Sequence, residues 1–324
     1  MDNTAIPVTL VTGFLGAGKS TLVQHWLAEL PREQTAVIVN ERGEIGIDGE
    51  LLSANIAGQM TRLREITGGC ACCSSQAELV SALNEFSSVS PKPQRILVET
   101  SGAASPAGVI RALQAPRLRD RLQLDGVITV ADATRLPTTL KFDLAVEQLA
   151  FADVVVLSHV DRLESSDADL SSADTTVAQH APAAVITHAR RGTSTTPLLE
   201  LLAQRGETLH EHTAGSSHAV IEAISLTLDG EMNEERFGIW VEQALGAVGA
   251  RILRLKGIVA LAGLDARVIV QGVGEDVDVQ LGRPWSEAPR TSRLVVLGLG
   301  LDAAALEAGF KLCAAASGGS GGSA

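Results

Sequence analysis

Residues 6–21 read Ile6-Pro-Val-Thr-Leu-Val-Thr12-Gly13-Phe-Leu-Gly16-Ala17-Gly18-Lys19-Ser20-Thr21. An apolar run leads into a complete GxxxxGK(S/T) loop, and the helix-spaced stretch from Ser20 to Leu30 follows it. A strand feeding a glycine turn that opens a helix is the context that makes this string a phosphate-binding loop. The glycines allow backbone conformations that a Cβ forbids, so successive N–H groups turn inward toward phosphate oxygens. The helix N-terminus adds partial positive charge. Lys19 is then placed to reach the β- and γ-phosphates, and the Ser20 hydroxyl to ligate Mg²⁺. A nucleoside triphosphate is the expected ligand.

Outward from this loop, to about residue 205, strand-like runs alternate with helical patterns. The runs are 35–39, 95–98, 126–130, 153–157 and 183–187, each short, β-branched and continuous. Such runs suit strands buried on both faces of a parallel sheet. Segments 77–86 and 144–150 have helical spacing between them. The expected fold class is α/β, a doubly wound, mostly parallel sheet over residues 1–205. Small polar groups at 206–218, including His210, His212 and His218, read as a linker of solvated residues. Beyond it, strands and helices segregate: a strand at 219–228, a helix at 233–247, strands at 251–262, 266–273, 276–281 and 292–298, and a helix from Asp302 to about Ala315. This predicts a small α+β domain over 219–316 with a largely antiparallel sheet, followed by a flexible tail of linker composition at 317–324.

The 324 residues suffice for two domains with their own cores. With 38 acidic against 26 basic residues the formal charge is −12, which argues against a general grip on nucleic acid. No apolar run is long enough for a membrane span. Four cysteines, three of them crowded together, do not make a disulfide framework, so a cytoplasmic protein is expected.

Two segments complete the expected nucleotide site. Arg95-Ile-Leu-Val-Glu99-Thr-Ser-Gly102 is an apolar strand ending in a carboxylate, where P-loop enzymes keep the acid that holds Mg²⁺. Gly102 is placed for its N–H to sense a γ-phosphate, while a plain strand-end acid is the other reading of Glu99. Val154-Val-Val-Leu157-Ser158-His159-Val160-Asp161 resembles a shortened NKxD motif. The Asp161 carboxylate can accept hydrogen bonds from guanine N1–H and the 2-amino group, whereas adenine offers it a lone pair. Ser158 and His159 occupy the usual Asn and Lys places, and an imidazole can lie over a purine face. An ordinary acid in a strand-to-helix turn is the alternative for Asp161. Thr187-His188-Ala189 is a candidate for backbone contacts to the guanine 6-oxygen.

Gly68-Gly-Cys70-Ala-Cys72-Cys73 places three thiols just before a helix start, where their pKa values are depressed. As thiolates they suit Zn²⁺ and other late transition metals. The other cysteine, Cys313, is almost the whole chain away, so the local set lacks a fourth ligand. A redox switch and plain buried cysteines are the rivals. Asn40-Glu41-Arg42-Gly43-Glu44-Ile45-Gly46-Ile47-Asp48 follows the second strand, where P-loop GTPases carry a switch, and Glu41 or Glu44 is a candidate oxygen ligand.

Together these motifs resemble the CobW family of GTPases over nearly the whole chain. GFLGAGKST stands intact at Gly13–Thr21, NExGEIGID at Asn40–Asp48, GGCxCC at Gly68–Cys73 and ExxG at Glu99–Gly102. Gln271-Gly-Val273, Gly282-Arg-Pro-Trp285 and Arg290–Val296 look like the family's C-terminal domain. The departures are Ser158-His159 for Asn/Ser-Lys, Gly274 where many relatives place a His, and no long His tract in the linker. The resemblance implies a GTPase, with GTP or GDP and Mg²⁺ held by Gly13, Gly16, Ala17, Gly18, Lys19, Ser20, Thr21, Glu99, Gly102, Ser158, His159 and Asp161. Lys19 and Glu99 would carry catalysis. It implies Zn²⁺ or Co²⁺ at Cys70, Cys72 and Cys73 with Glu41, and delivery of that metal to a client metalloprotein by a monomer or weak homodimer. The competing expectation is a GTPase that gates assembly of a metalloenzyme or cobalamin enzyme without carrying metal.

Overall fold

The computed structural model describes residues 5–31, 34–41, 62–67, 74–163, 167–204, 222–246, 251–274 and 276–315. They fall into two compact units that divide at Thr208/Leu209.

The first unit is built on an eight-stranded sheet. Its strands are β1 Ile6–Thr12, β2 Thr35–Glu41, β3 Arg62–Thr67, β4 Arg95–Thr100, β5 Leu122–Asp132, β6 Val154–Ser158, β7 Val185–Arg190 and β8 Thr193–Ser194. The spatial order is β3-β2-β4-β1-β5-β6-β7-β8, parallel except for the β7–β8 pair. Among the described residues its helices are α1 Lys19–Glu29, α2 Ser74–Ser88, α3 Pro106–Leu113, α4 Leu136–Thr139, α5 Asp143–Ala150, α6 Asp167–His180 and α7 Leu198–Gln204.

Period-two alternation divides β6 between two cores. Val154 and Val156 pack with Trp26 of α1 and Leu201 of α7. Val155 and Leu157 pack with Leu149 of α5 and Val177 of α6. All four are fully buried, each contributing about 1.5–3 kcal/mol. Both faces are therefore covered, as the continuous apolar runs require. The carboxyl ends of β1, β4, β5 and β6 converge on one edge, the place where open α/β sheets bind ligands.

Among the described elements of this unit, β3, α3, α4, α6, α7 and the two-residue β8 lie outside the apolar runs and helical segments of the sequence. Strand β3 reads Arg-Leu-Arg-Glu-Ile-Thr and sits at the sheet edge, where one flank needs no apolar cover. Helices α3, α6 and α7 are short or polar, and α3 is started by Ser105, whose hydroxyl accepts from Ala107 N–H at 3.2 Å.

The second unit has strands β9 Glu222–Asp229, β10 Arg251–Val259, β11 Ala266–Val273, β12 Asp276–Pro284 and β13 Thr291–Leu299, in the antiparallel order β12-β11-β10-β13-β9. Helices α8 Glu234–Leu245 and α9 Ala303–Leu312 are capped by the side chains of Asn233 and Asp302. Trp240 of α8 donates its indole N–H to Leu306 O at 3.2 Å, and Gly309 leaves room for the ring. Phe310 and the Cys313 thiol are buried in this core. Burial pushes the Cys313 thiol up, a shift that the Arg236 charge opposes.

Candidate functional site

The loop between β1 and α1 is shaped by its glycines. Gly13, Gly16 and Gly18 have φ of 139°, 74° and 90°, the left-handed region that L side chains avoid. A Cβ on Gly13 would lie 2.1 Å from Val130 O of β5, so close approach as well as φ demands glycine there. Gly18 is the N-cap of α1 and offers no side chain to it. The first N–H groups of that helix are thus left for another acceptor, which is how helix starts bind phosphate.

Lys19 is nearly buried, and its Nζ donates to Phe14 O at 3.1 Å, folding the side chain back along the loop. Ser20 Oγ donates to Glu99 Oε1 at 2.6 Å. This clasp joins α1 to the end of β4, 79 residues away, and Glu99 is buried. Thr21 faces the turn at Gly192, where a Cβ would come within 2.6 Å of its methyl. Thr12 and Thr100 hydroxyls meet at 2.9 Å beneath the loop. Gly102 abuts Leu15: a Cβ there would lie 2.7 Å from Leu15 N. The turn carrying Gly102 is held by Gln148 of α5, whose buried amide donates to Gly102 O at 3.3 Å and Ala104 O at 3.0 Å.

The end of β6 touches the same loop. Ser158 Oγ donates to Ala17 O at 2.7 Å, and Ala17 is buried. His159 has φ 56° and its Nδ1 lies 3.2 Å from Asp132 Oδ2 at the end of β5. Its ring edge comes within 3.8 Å of where a Cβ of Gly18 would stand. Asp161, in the 3₁₀ turn Val160–Arg162, is exposed. Desolvation raises its pKa, but its own backbone N–H, the Arg191 N–H and the Arg162 and Arg191 charges together outweigh that and hold the carboxyl below its ordinary value. Arg191 N–H points to Asp161 Oδ1 at 3.4 Å.

Phosphate loop, carboxylate strand and Ser158–Asp161 turn thus meet at one edge. The backbone groups beside Asp161 come from the turn at Arg191, after Thr187–Ala189: β7 runs on to Arg190 because it pairs with β8. Asp132, Gln148 and Arg191 are members of the site that motif reading missed. No local signal marks them, since each acts through a partner distant in sequence.

The thiolate cluster lies outside the described residues, as do Glu44 and His210, His212 and His218. The backbone of Glu41 ends β2 in register with Thr67, the last residue of β3 and the third before Cys70. Asn40 of the same strand pairs with Thr100 of β4. Among the described residues no group of three His, Cys, Asp or Glu is placed to hold a metal, and no helix is long and apolar enough to cross a membrane.

Residues 7–188 match the CobW/HypB/UreG nucleotide-binding domain, and residues 221–314 the cobalamin synthesis protein cobW C-terminal domain. The zinc chaperone CobW of Pseudomonas aeruginosa is 36% identical, the alignment covering 93% of this chain and 89% of that one. The zinc chaperone YjiA of Escherichia coli is 30% identical over 94% of this chain and 98% of its own. The crystal structure of Zn(II)-bound YjiA GTPase from E. coli superposes with a TM-score of 0.60 at 25% identity, covering 95% of this chain and 98% of that one.

Proposed function

This chain belongs to the CobW family, and from that premise we propose that it is a GTP-hydrolysing metallochaperone that carries zinc and delivers it to a client protein. The observation that carries the nucleotide half is the Ser20–Glu99 clasp beneath an uncapped helix start, with Ser158 tied to the same loop.

The donors suit their ligands. A hydroxyl and a buried carboxylate form a pair of hard oxygens, which fits Mg²⁺. Ser20 and Glu99 would hold that ion, which neutralises phosphate charge when bound. The N–H groups of Gly16, Gly18, Lys19 and Ser20 enclose the β- and γ-phosphates, and Lys19 leaves the Phe14 carbonyl to bond them. Gly102 N–H senses the γ-phosphate. Asp161, ionised throughout the neutral range, accepts from guanine N1–H and the 2-amino group and rejects adenine. His159, anchored by Asp132, packs against the purine or ribose.

Zinc is the cargo. Cys70, Cys72 and Cys73 with Glu41 supply soft thiolates and one oxygen. Strand order supports coupling between the two sites. Glu41 and Thr67 end neighbouring strands, and β2 lies directly beside the β4 strand that carries Glu99. A change at the γ-phosphate therefore has one strand to cross before it reaches the segments leading to the thiolates.

The test is linkage. Zn²⁺ affinity is measured with a chromophoric competitor, in GDP and in a non-hydrolysable GTP analogue with Mg²⁺. The analogue is expected to tighten zinc by ~5–150-fold, and zinc to tighten the analogue by the same factor. Replacing all three cysteines by serine removes both effects and leaves nucleotide binding intact. Equal zinc affinity in both states would defeat metal delivery driven by nucleotide and favour a GTPase that gates client assembly.

A further inference from the structure

A cleft of about 460 Å³ opens beside the phosphate loop, between Phe14–Ala17 and the segment from β5 to α5. Most of its wall is apolar, with Phe14 and Phe142 stacked at 4.9 Å between ring centroids. Among the described residues one cation lines it, Arg135. The backbone there is fixed. Asp132 Oδ1 accepts from Thr134 N–H at 2.9 Å and from its hydroxyl at 2.7 Å, and Arg135 N–H donates to Asp132 O at 3.1 Å.

The side chain is not tied down in the same way. Arg135 is exposed, and among the described residues its guanidinium has no hydrogen-bond or ion-pair partner. The carboxylate of Asp132, three residues earlier at the end of β5, is engaged by Thr134 and His159. Arg135 Nη1 lies 3.7 Å from where a Cβ of Gly16 would stand, an ordinary contact distance that puts the guanidinium against the loop. Leu15 beside it is 60% exposed, so the outer face of the loop is open for the arginine to cross.

We propose that Arg135 is a catalytic arginine which the chain supplies to its own phosphate loop, and that it neutralises charge developing on the nucleotide during hydrolysis. The inference rests on the reading of the loop as a GTP site. In that reaction the oxygen of a water forms a bond to the γ-phosphorus. The bond from that phosphorus to the β–γ bridging oxygen breaks, its electron pair stays on GDP, and the water's protons end on phosphate and solvent. Negative charge grows on the bridging oxygen as that bond breaks. A guanidinium crossing the loop at Gly16 donates N–H bonds to that oxygen and to the γ-phosphoryl oxygens, and it does so most strongly in the transition state. GTPases with an arginine in their own chain turn over about 20- to 30-fold faster than those that wait for one from a partner.

The experiment compares wild type, Arg135→Ala and Arg135→Lys in single-turnover GTP hydrolysis, GTP and GDP affinity, and binding of GDP with aluminium fluoride. Arg135→Ala is expected to lower the hydrolysis rate by about 20-fold or more. It should shift GDP affinity less than threefold and abolish the aluminium fluoride complex that wild type forms unaided. Arg135→Lys should recover part of the rate, because it keeps charge and loses the fork. An Arg135→Ala rate within twofold of wild type overturns the proposal. So does an equal loss of GTP and GDP affinity at unchanged rate, which marks a ground-state contact. Absence of GTP binding by the wild type would instead remove the nucleotide reading beneath it.

Discussion

In the proposed site the phosphate end relies on backbone, whereas the base end relies on side chains tied across the sheet. Gly13, Gly16 and Gly18 set the path of the loop by φ alone, and Val130 O leaves no space for a Cβ on Gly13. At the base end, Ser158 is bonded to Ala17 O, His159 to Asp132 and Asp161 to the Arg191 N–H. The first arrangement tolerates almost no change in residue type. The second tolerates Ser-His in place of Asn-Lys, because a hydroxyl and an imidazole still find partners on neighbouring strands. A loop built from N–H groups would serve any triphosphate, so under this proposal the choice of base falls to the end where side chains differ.

Breaking the phosphate end gives the largest effect. Lys19→Ala should reduce GTP hydrolysis by about 10²–10³-fold, the usual loss for one preorganised donor. The folded state should persist, because the side chain spans the loop and does not fill a core; a thermal melt beside a turnover assay checks both. Unchanged turnover would show that the loop does not act on phosphate.

Asp161→Asn tests the base end. Two hydrogen bonds to a charged acceptor set the expected preference for GTP over ATP at roughly 10²-fold or more, and the substitution should erase most of it. Xanthosine triphosphate, whose 2-oxygen the carboxylate repels, should bind the variant better than the wild type in competition titrations. Equal binding of ATP and GTP by the wild type would mean that Ser158-His159 does not preserve the motif.

The smallest effect concerns the tie between the two ends. Ser158→Ala removes the donor to the buried Ala17 carbonyl, which should cost about 1–3 kcal/mol of stability. Urea unfolding followed by tryptophan fluorescence should show a lower midpoint at unchanged slope. Nucleotide affinity should fall with it, since the phosphate loop loses its link to β6. A variant as stable as wild type would make the bond incidental.

The strands that sequence reading finds best are those with both faces covered. Runs such as Val154–Leu157 stay apolar because α1 and α7 lie on one side and α5 and α6 on the other. Strand β3 carries no such run for the converse reason: as an edge strand it keeps Arg62, Arg64 and Glu65. Strand β5 begins at Leu122, four residues before its apolar run, through pairing with β1. Caps acted as the sequence suggested at Asp302, whose carboxylate accepts from Ala305 N–H at 3.0 Å.

Local stretches of residues are enough to mark a candidate phosphate loop, the change from parallel to antiparallel architecture, and Lys19, Ser20, Glu99 and Asp161 as site candidates. These are local properties, carried by glycine φ, hydrophobic period and short spacing. It takes the folded chain to bring Ser20 to Glu99, Gln148 to the Gly102 turn, Ser158 to Ala17, and Arg135 to the loop. The first three pairs are separated by 79, 46 and 141 residues. Which of them touch depends on β4 and β5 flanking β1 and on β6 standing beside β5. That order is set by how crossover helices pack over the sheet, and no short stretch of residues encodes it.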